Sequence, residues 1–349
     1  MKRFLPLLLA ASCLGALPAA AQVPDIAFDS AANALTLPDD IYLGEVGGVA
    51  TNSKGDIFVY TRTGHPTLSL GTSRGFVHGG SRLFQFDRNG KFVREIGKDS
   101  YGFVFAQMVR IDPQDNIWTV DQVTNSVIKF DPEGRVMMIL GRKPEAVPVP
   151  ARPPAAPAAG QVAGAGAPTD IFNRPTDVAW DSTGNIYVAD GVGNQRVAKF
   201  DKSGVFIKSW GSRGSEPGQF GTARAIAVDA QGNVYVADPR NNRIQVFDGN
   251  GTFKTQITGI GAPQALCITP GPNQVLFVGE STFPGRIFKV SLEGKVLGVI
   301  GRSGRLLKQF SGAHALACPS ETEVYAAETS NWRVQKLILH PQGPASGTH

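Results

Sequence analysis

"NIYVADGVGNQRVAKFD" occupies Asn185–Asp201, and "NVYVADPRNNRIQVFD" occupies Asn233–Asp248. Each phrase holds an alternating apolar and β-branched run that ends on an acid. A short polar loop follows, then a second run that ends Phe-Asp. Alternation of this kind between turn residues is the pattern of a β-strand. A phrase that returns along a chain is a structural repeat, and its period decides the architecture.

Six copies can be laid out. The second strands read "DIFVYTR" (Asp56–Arg62), "NIWTVD" (Asn116–Asp121), "NIYVAD", "NVYVAD", "QVLFVGE" (Gln274–Glu280) and "EVYAAE" (Glu323–Glu328). The strands after them read "RLFQFD", "VIKFD", "RVAKFD", "RIQVFD", "RIFKV" and "RVQKL". An apolar strand precedes each pair and a fourth strand follows it. Four strands in a unit of roughly 40–50 residues is the signature of a propeller blade. One blade cannot bury both of its faces, so six units predict a closed, all-β, six-bladed β-propeller with four antiparallel strands per blade. The sixth copy stops after its third strand, near Leu339. The segment Asp25–Leu37 is expected to supply the missing outer strand and close the ring.

Most of the acids have an arginine five or six residues later: Asp190 with Arg196, Asp238 with Arg243, Glu280 with Arg286, Glu328 with Arg333. A carboxylate facing an arginine across a turn fixes that turn by charge-assisted hydrogen bonds. These acids are expected to be structural. The second copy breaks the rule, with Val127 after Asp121.

The ends and the linker are of a different composition. Lys2 and Arg3 precede an apolar run, and Ala19-Ala20-Ala21 offers small residues before Gln22, so residues 1–21 read as a secretory signal. A lipoprotein box ending at Cys13 is the rival reading. Export to a periplasm or to the outside is expected, and no later apolar run is long enough to span a membrane. Residues 22–342 form the single propeller domain, and 343–349 a disordered tail. The stretch 143–169, rich in Pro, Ala and Gly, is expected to be a flexible insertion. The formal charge of +5 on 349 residues is too small for a nucleic-acid surface. Beyond the signal, two cysteines remain. By repeat alignment Cys267 and Cys318 fall on adjacent strand positions, which face opposite ways, in neighbouring blades. Two free thiols are expected.

In a propeller the loop before each inner strand and the loop between the second and third strands open on one mouth. Function on a rigid scaffold resides in such loops. The positions just before each inner strand are Gly47, Gln107, Thr176, Arg224, Gln264 and His314. The first blade adds a long loop, Thr63–Ser81, with His65 and His78.

The repeat resembles the NHL repeat. "YLGEVGGVATNSKGDIFVYTRTGHP" (Tyr42–Pro66), "PTDVAWDSTGNIYVADGVGNQRVAKFDKSGVFIKSWG" (Pro175–Gly211) and "PGQF" (Pro217–Phe220) are similar to the peptidyl-α-hydroxyglycine α-amidating lyases. The resemblance implies a zinc site built from three histidines before inner strands, with a tyrosine and arginines at the mouth. Those enzymes cleave a C-terminal hydroxyglycine to a peptide amide and glyoxylate. Carried over residue by residue, the three histidines fall on Gln107, Arg224 and His314, so only the third is retained. The tyrosine falls on Val192. One arginine is present as Arg62, and another falls on Pro239, with Arg240 beside it. The acid associated with structural calcium falls on Ala315.

A catalytic zinc needs three protein ligands, and a fixed cation at position 224 repels a metal. The reading is therefore a non-catalytic binding module with no cofactor. Its ligand-binding candidates are Arg62, Gln107, Arg224, Arg240 and His314, biased toward a peptide, a small anionic ligand or another exported protein. A monomer is expected. The alternative is a lyase-like enzyme with a rebuilt site, where Arg62 and His314 hold the lyase-like positions and zinc or calcium would return. A carboxylate-bound calcium, as in lactone-hydrolysing propellers, is disfavoured by the Gln, Thr, Arg and His at the inner positions.

Overall fold

A computed structural model describes residues 23–31, 33–63, 80–141, 171–281 and 283–340, and the backbone of the short strands Leu68–Leu70 and Arg74–Phe76. The proposed signal at 1–21, His65, His78, the insertion at 143–169 and the tail at 343–349 lie outside the described side chains.

Six four-stranded antiparallel sheets are arranged in sequence order. Blade 3 shows the logic. Asp177–Trp180, Ile186–Asp190, Arg196–Phe200 and Phe206–Trp210 pair in order from the axis outward. The two middle strands are buried along their whole length, because each contacts a neighbouring blade on both faces. The outer strand is only half-covered. Its turn is set by "DKSG": the Gly204 amide donates to the Asp201 carbonyl at 3.0 Å, and Gly204 takes φ +85°, which a glycine adopts without strain. Asp201 Oδ1 accepts from the amides of Ser203 and Val205.

Between blades the faces interlock through large apolar side chains. Phe84, Phe86, Val120, Val188 and Phe200 belong to one cluster that runs across blades 1 to 3. Each such side chain contributes roughly 1.5–3 kcal/mol by leaving water.

The ring closes as the repeat count requires. Phe28–Ser30 pairs antiparallel with Leu337–Leu339 and is the outer strand of blade 6. The segment does more than fill that vacancy. Ile26 N donates to Val299 O at 2.7 Å and Val299 N donates to Pro24 O at 2.9 Å, on blade 5. Further on, Thr36 exchanges bonds with Gly90 and Phe92 of blade 1. The amino-terminal strap thus crosses three consecutive blades.

The acid–arginine pairs form as expected. Arg196–Asp190 (3.0 Å), Arg243–Asp238 (3.2 Å), Arg286–Glu280 (3.0 Å) and Arg333–Glu328 (2.7 Å) all join at Nε. The acids also hold the loop before the inner strand. Asp190 accepts from Asn173 N, Asp238 from Gly221 N and Thr222 N, and Glu328 from Ser311 N. In blade 2, Asp121 lacks an arginine and takes Thr124, Val104 N and Phe105 N instead.

One expectation fails. Cys267 and Cys318 are joined in a disulfide, with Cα atoms 6.0 Å apart. The two positions do face opposite ways, but stacked blades meet through opposite faces. The forward face of blade 5 looks onto the rear face of blade 6, so opposite orientation brings the thiols together across that seam.

Candidate functional site

The mouth positions are aimed by a repeated irregularity. In blades 1, 2, 5 and 6 the inner strand carries a register shift, between Val46 and Gly48, Ala106 and Met108, Pro263 and Ala265, and Ala313 and Ala315. The extra residue in each bulge is Gly47, Gln107, Gln264 or His314. A bulge turns its unpaired residue out of the strand alternation. In blades 3 and 4 the equivalent residues, Thr176 and Arg224, stand one before the strand, each with its amide on the carbonyl of the neighbouring strand, Ala189 or Ala237, at 2.8 Å.

Four of these six meet at one guanidinium. Arg224 Nη2 lies 2.8 Å from His314 Nε2, and its Nε donates to Gln264 Oε1 at 3.3 Å. The Gln107 amide, turned so that its oxygen faces Arg224, accepts from Nη1 at 2.6 Å and Nη2 at 3.2 Å. In the opposite orientation that oxygen accepts only from Arg62 Nη2 at 3.4 Å; the first arrangement gives the buried guanidinium an acceptor for both of its terminal nitrogens. His314 Nδ1 lies 2.7 Å from the Gly47 carbonyl. A carbonyl only accepts, so the proton is on Nδ1 and Nε2 accepts from Arg224.

Burial and charge agree with that tautomer. Desolvation first, then the fields of Arg224 and Arg62, hold His314 well below the usual histidine range, against the pull of the Gly47 carbonyl. The imidazole is neutral. Arg224 is 8% exposed, and burial pushes its guanidinium down to about 10, with Asp177 opposing the shift and Arg62 and Arg110 adding to it.

The other candidates stand apart. Arg62 is already engaged: it pairs with Glu45 at 2.8 Å, donates to Ala106 O at 2.9 Å and stacks 3.6 Å from the Phe105 ring. Arg240 is exposed on the short turn Pro239–Asn241, outside the hydrogen-bonded cluster. Thr176 is fully buried and gives its hydroxyl to the carbonyls of Ala189 and Ala223. His340 pairs with Asp29 at 2.9 Å, at the closure.

Beneath the mouth is a second layer that the repeat reading passed over. Arg110 forms a bidentate pair with Asp177, at 2.9 and 2.6 Å, and donates to the carbonyls of Leu266 (3.0 Å) and Leu316 (3.3 Å). Asp177 also accepts from Ile226 N at 3.0 Å. One ion pair therefore ties together blades 2 to 6 on the axis. A signal for it existed. Three residues after each mouth position stand Ala50, Arg110, Ala179, Ala227, Cys267 and Ala317. One residue after stand Gly48, Met108, Asp177, Ala225, Ala265 and Ala315. Arg110 and Asp177 are the charged outliers, of opposite sign, in otherwise uncharged columns.

Comparison with known proteins places this geometry. The NHL repeat family matches residues 172–200 and 220–247, the third and fourth blades. The chain is a six-bladed propeller with NHL repeats in its third and fourth blades. This propeller is 26% identical over 337 residues to peptidyl-alpha-hydroxyglycine alpha-amidating lyase 1 of Drosophila melanogaster, covering 86% of this chain and 58% of that protein. It is 30% identical over 226 residues to the peptidylglycine alpha-amidating monooxygenase of Rattus norvegicus, 59% of this chain and 21% of that one. The matched region thus spans about a fifth of the rat relative. Among solved structures, a streptogramin B lyase superposes with a TM-score of 0.56 at 11% identity, over 90% of this chain and 98% of that chain, which is a likeness of fold. Among the described residues no group of three or more His, Cys, Asp or Glu is placed to hold a metal, and no helix is long and apolar enough to cross a membrane.

Proposed function

We propose that this propeller is an exported binding module that takes an anionic group, a peptide C-terminal carboxylate above all, at the mouth beside Arg224. The observation that carries the reading is how the charges pair at the axis. Arg62 pairs with Glu45 and Arg110 with Asp177, whereas among the described residues no carboxylate hydrogen-bonds to Arg224, and His314 is neutral. Arg224 has only neutral hydrogen-bond partners, and a buried cation in that state favours an anion. The disulfide is of the kind kept in oxidising compartments and supports export.

The donor set supports the non-catalytic side of the reading. The positions that answer to the lyases' zinc histidines are Gln107, Arg224 and His314. The one imidazole nitrogen with a lone pair is turned onto the guanidinium, and an arginine has no metal-binding lone pair. These residues do not fit a three-ligand zinc.

The second reading is a lyase-like enzyme with a rebuilt site, favoured by the length of the match to the amidating lyases. Titration calorimetry with one short peptide, as free acid and as amide, separates the two. The acid is expected to bind about tenfold or more tighter than the amide, as one charge-assisted contact gives. Stoichiometric zinc in the purified protein, or turnover of a hydroxyglycine-terminated peptide, would sink the binding-module reading. Introducing Gln107→His with Arg224→His is expected to create zinc binding where the native chain has none.

A further inference from the structure

The outer strands of the six blades are sheet edges, and a bare edge invites another strand unless charge or cover blunts it. Four of them carry charge: Phe92–Ile96 has Arg94 and Glu95, Phe206–Trp210 has Lys208, Phe253–Ile257 has Lys254, and Phe28–Ser30 has Asp29. Two do not. These are Val296–Ile300 of blade 5, "VLGVI", and Val136–Gly141 of blade 2, "VMMILG".

The two uncharged edges are equivalent residue for residue. Each carries the same bulge near its start, so that Val296 answers to Val136, and Val299 to Ile139. In blade 5 both outward backbone groups of Val299 are taken by the strap, through Pro24 and Ile26, and Val299 is 8% exposed. In blade 2 no described residue adds to the edge, and Ile139 is 58% exposed. Val136 and Met137 beside it are also exposed. The patch continues onto blade 3: the Gly204 turn abuts Met138 and Leu140, and Val205 and Ile207 follow it, exposed.

We propose that the outer edge of blade 2 takes a fifth strand, and that the strand is the same edge of a second copy of this chain, in a two-fold dimer. An antiparallel pair about a two-fold axis sets each residue against the one equally far on the other side of the axis, so a strand's single charge meets its own like at the axis and an apolar residue elsewhere, and neither position gives it a partner of opposite sign. Val136–Gly141 is an edge with no charge to leave unpaired, whereas Lys208 or Lys254 would weaken such pairing in blades 3 and 4. A stable interface needs about 800 Å² from each partner. A few edge residues fall short of that alone, so Val136, Met137, Val205 and Ile207 belong to the contact.

Sedimentation equilibrium on the full chain tests this, with Ile139→Lys on the edge and Ile207→Lys on the flank. Both sites are exposed, so the circular dichroism spectrum is expected to stay as in the native chain. The native chain is expected to be dimeric. Each substitution enters twice; Ile139→Lys, on the paired edge, is expected to weaken dimerisation about a hundredfold, and Ile207→Lys, on the flank, about tenfold. A native chain that stays monomeric at all concentrations overturns the proposal. So does a dimer that both variants leave intact. A monomer whose Ile139 amide is protected from hydrogen exchange would mean that the chain covers its own edge, and also overturns it. Should Ile139→Lys fail to fold, Ile207→Lys carries the same decision.

Discussion

Arg110 and Arg224 stand one layer apart on the same axis, the first partly buried and the second buried, and they are held in opposite ways. Arg110 has a bidentate carboxylate and two backbone carbonyls. Arg224 has a neutral imidazole and two side-chain amides. A guanidinium whose charge and donors are both answered is a fastener. One whose donors are answered but whose charge is not remains available to an anion. The same residue type, in the same channel, is structural in one layer and, in the function proposed above, meets the ligand in the next.

The sharpest way to break the comparison is to orphan the lower arginine. Asp177→Asn removes the charge that offsets Arg110 while keeping the side chain's size. Removing one partner of a buried pair costs about 3–5 kcal/mol. Here the loss also loosens the Ile226 amide. Urea unfolding is expected to show a fall of that size. A loss under about 1 kcal/mol, the level of an exposed pair, would mean that the axial pair fastens nothing.

Next in size is the disulfide, which clamps the strands that feed Arg110. Cys267 follows Leu266, and Cys318 lies two beyond Leu316, the two residues whose carbonyls Arg110 holds. For a separation of 51 residues, chain entropy assigns the cross-link about 4 kcal/mol, and measured values fall in the range of about 2–4. Cys267→Ala with Cys318→Ala is expected to lose that much in the same assay. A mass gain of two hydrogens on reduction of the unfolded native chain checks that the bond is there.

The fold was legible because strand alternation is local, and in blades 1 to 4 it is punctuated by Asp-x-x-Gly turns. The alternation reports the same structure six times over, and the shortfall at Leu339 pointed to the strap. The mouth ring was legible for the same reason, as a column of the repeat. What escaped was whatever depends on how blades stack. The cysteines looked incompatible because within one strand neighbouring residues diverge, and only the meeting of two blades turns divergence into contact. Arg110 and Asp177 lie in different repeats and pair across the axis, so no single repeat contains the pair. The long loop with His65 and His78 and the insertion at 143–169 lie outside the described side chains.

The upper layer carries its own pH dependence. His314 is held below its ordinary range by burial and by two cations, so the native state releases its proton while the unfolded chain, titrating near 6.5, still binds one. Wherever the unfolded state holds more protons, stability rises with pH. Stability is therefore expected to be steady above about pH 6.5 and to fall below it, by at most about 1.4 kcal/mol per pH unit for this group. His314→Gln should flatten that part of the profile relative to the native chain. A profile unchanged by the substitution would show that His314 titrates in the folded protein as it does in the unfolded one.

The smallest expected effect is the most telling. Arg224→Met removes a guanidinium buried to 8% exposure and leaves a flexible apolar side chain of similar length. For Arg110 the matching change would strand a carboxylate. At position 224 there is no carboxylate to strand, only Gln107, Gln264 and His314, which lose a donor each. The lost hydrogen bonds cost about 1 kcal/mol apiece, and relief from desolvating an unanswered cation offsets them. The net change in unfolding free energy is expected to lie within about 1 kcal/mol of zero. Binding of a free-acid peptide should meanwhile fall at least about tenfold. A loss of stability as large as that of Asp177→Asn, with peptide binding intact, would make Arg224 a second fastener and erase the distinction between the two layers.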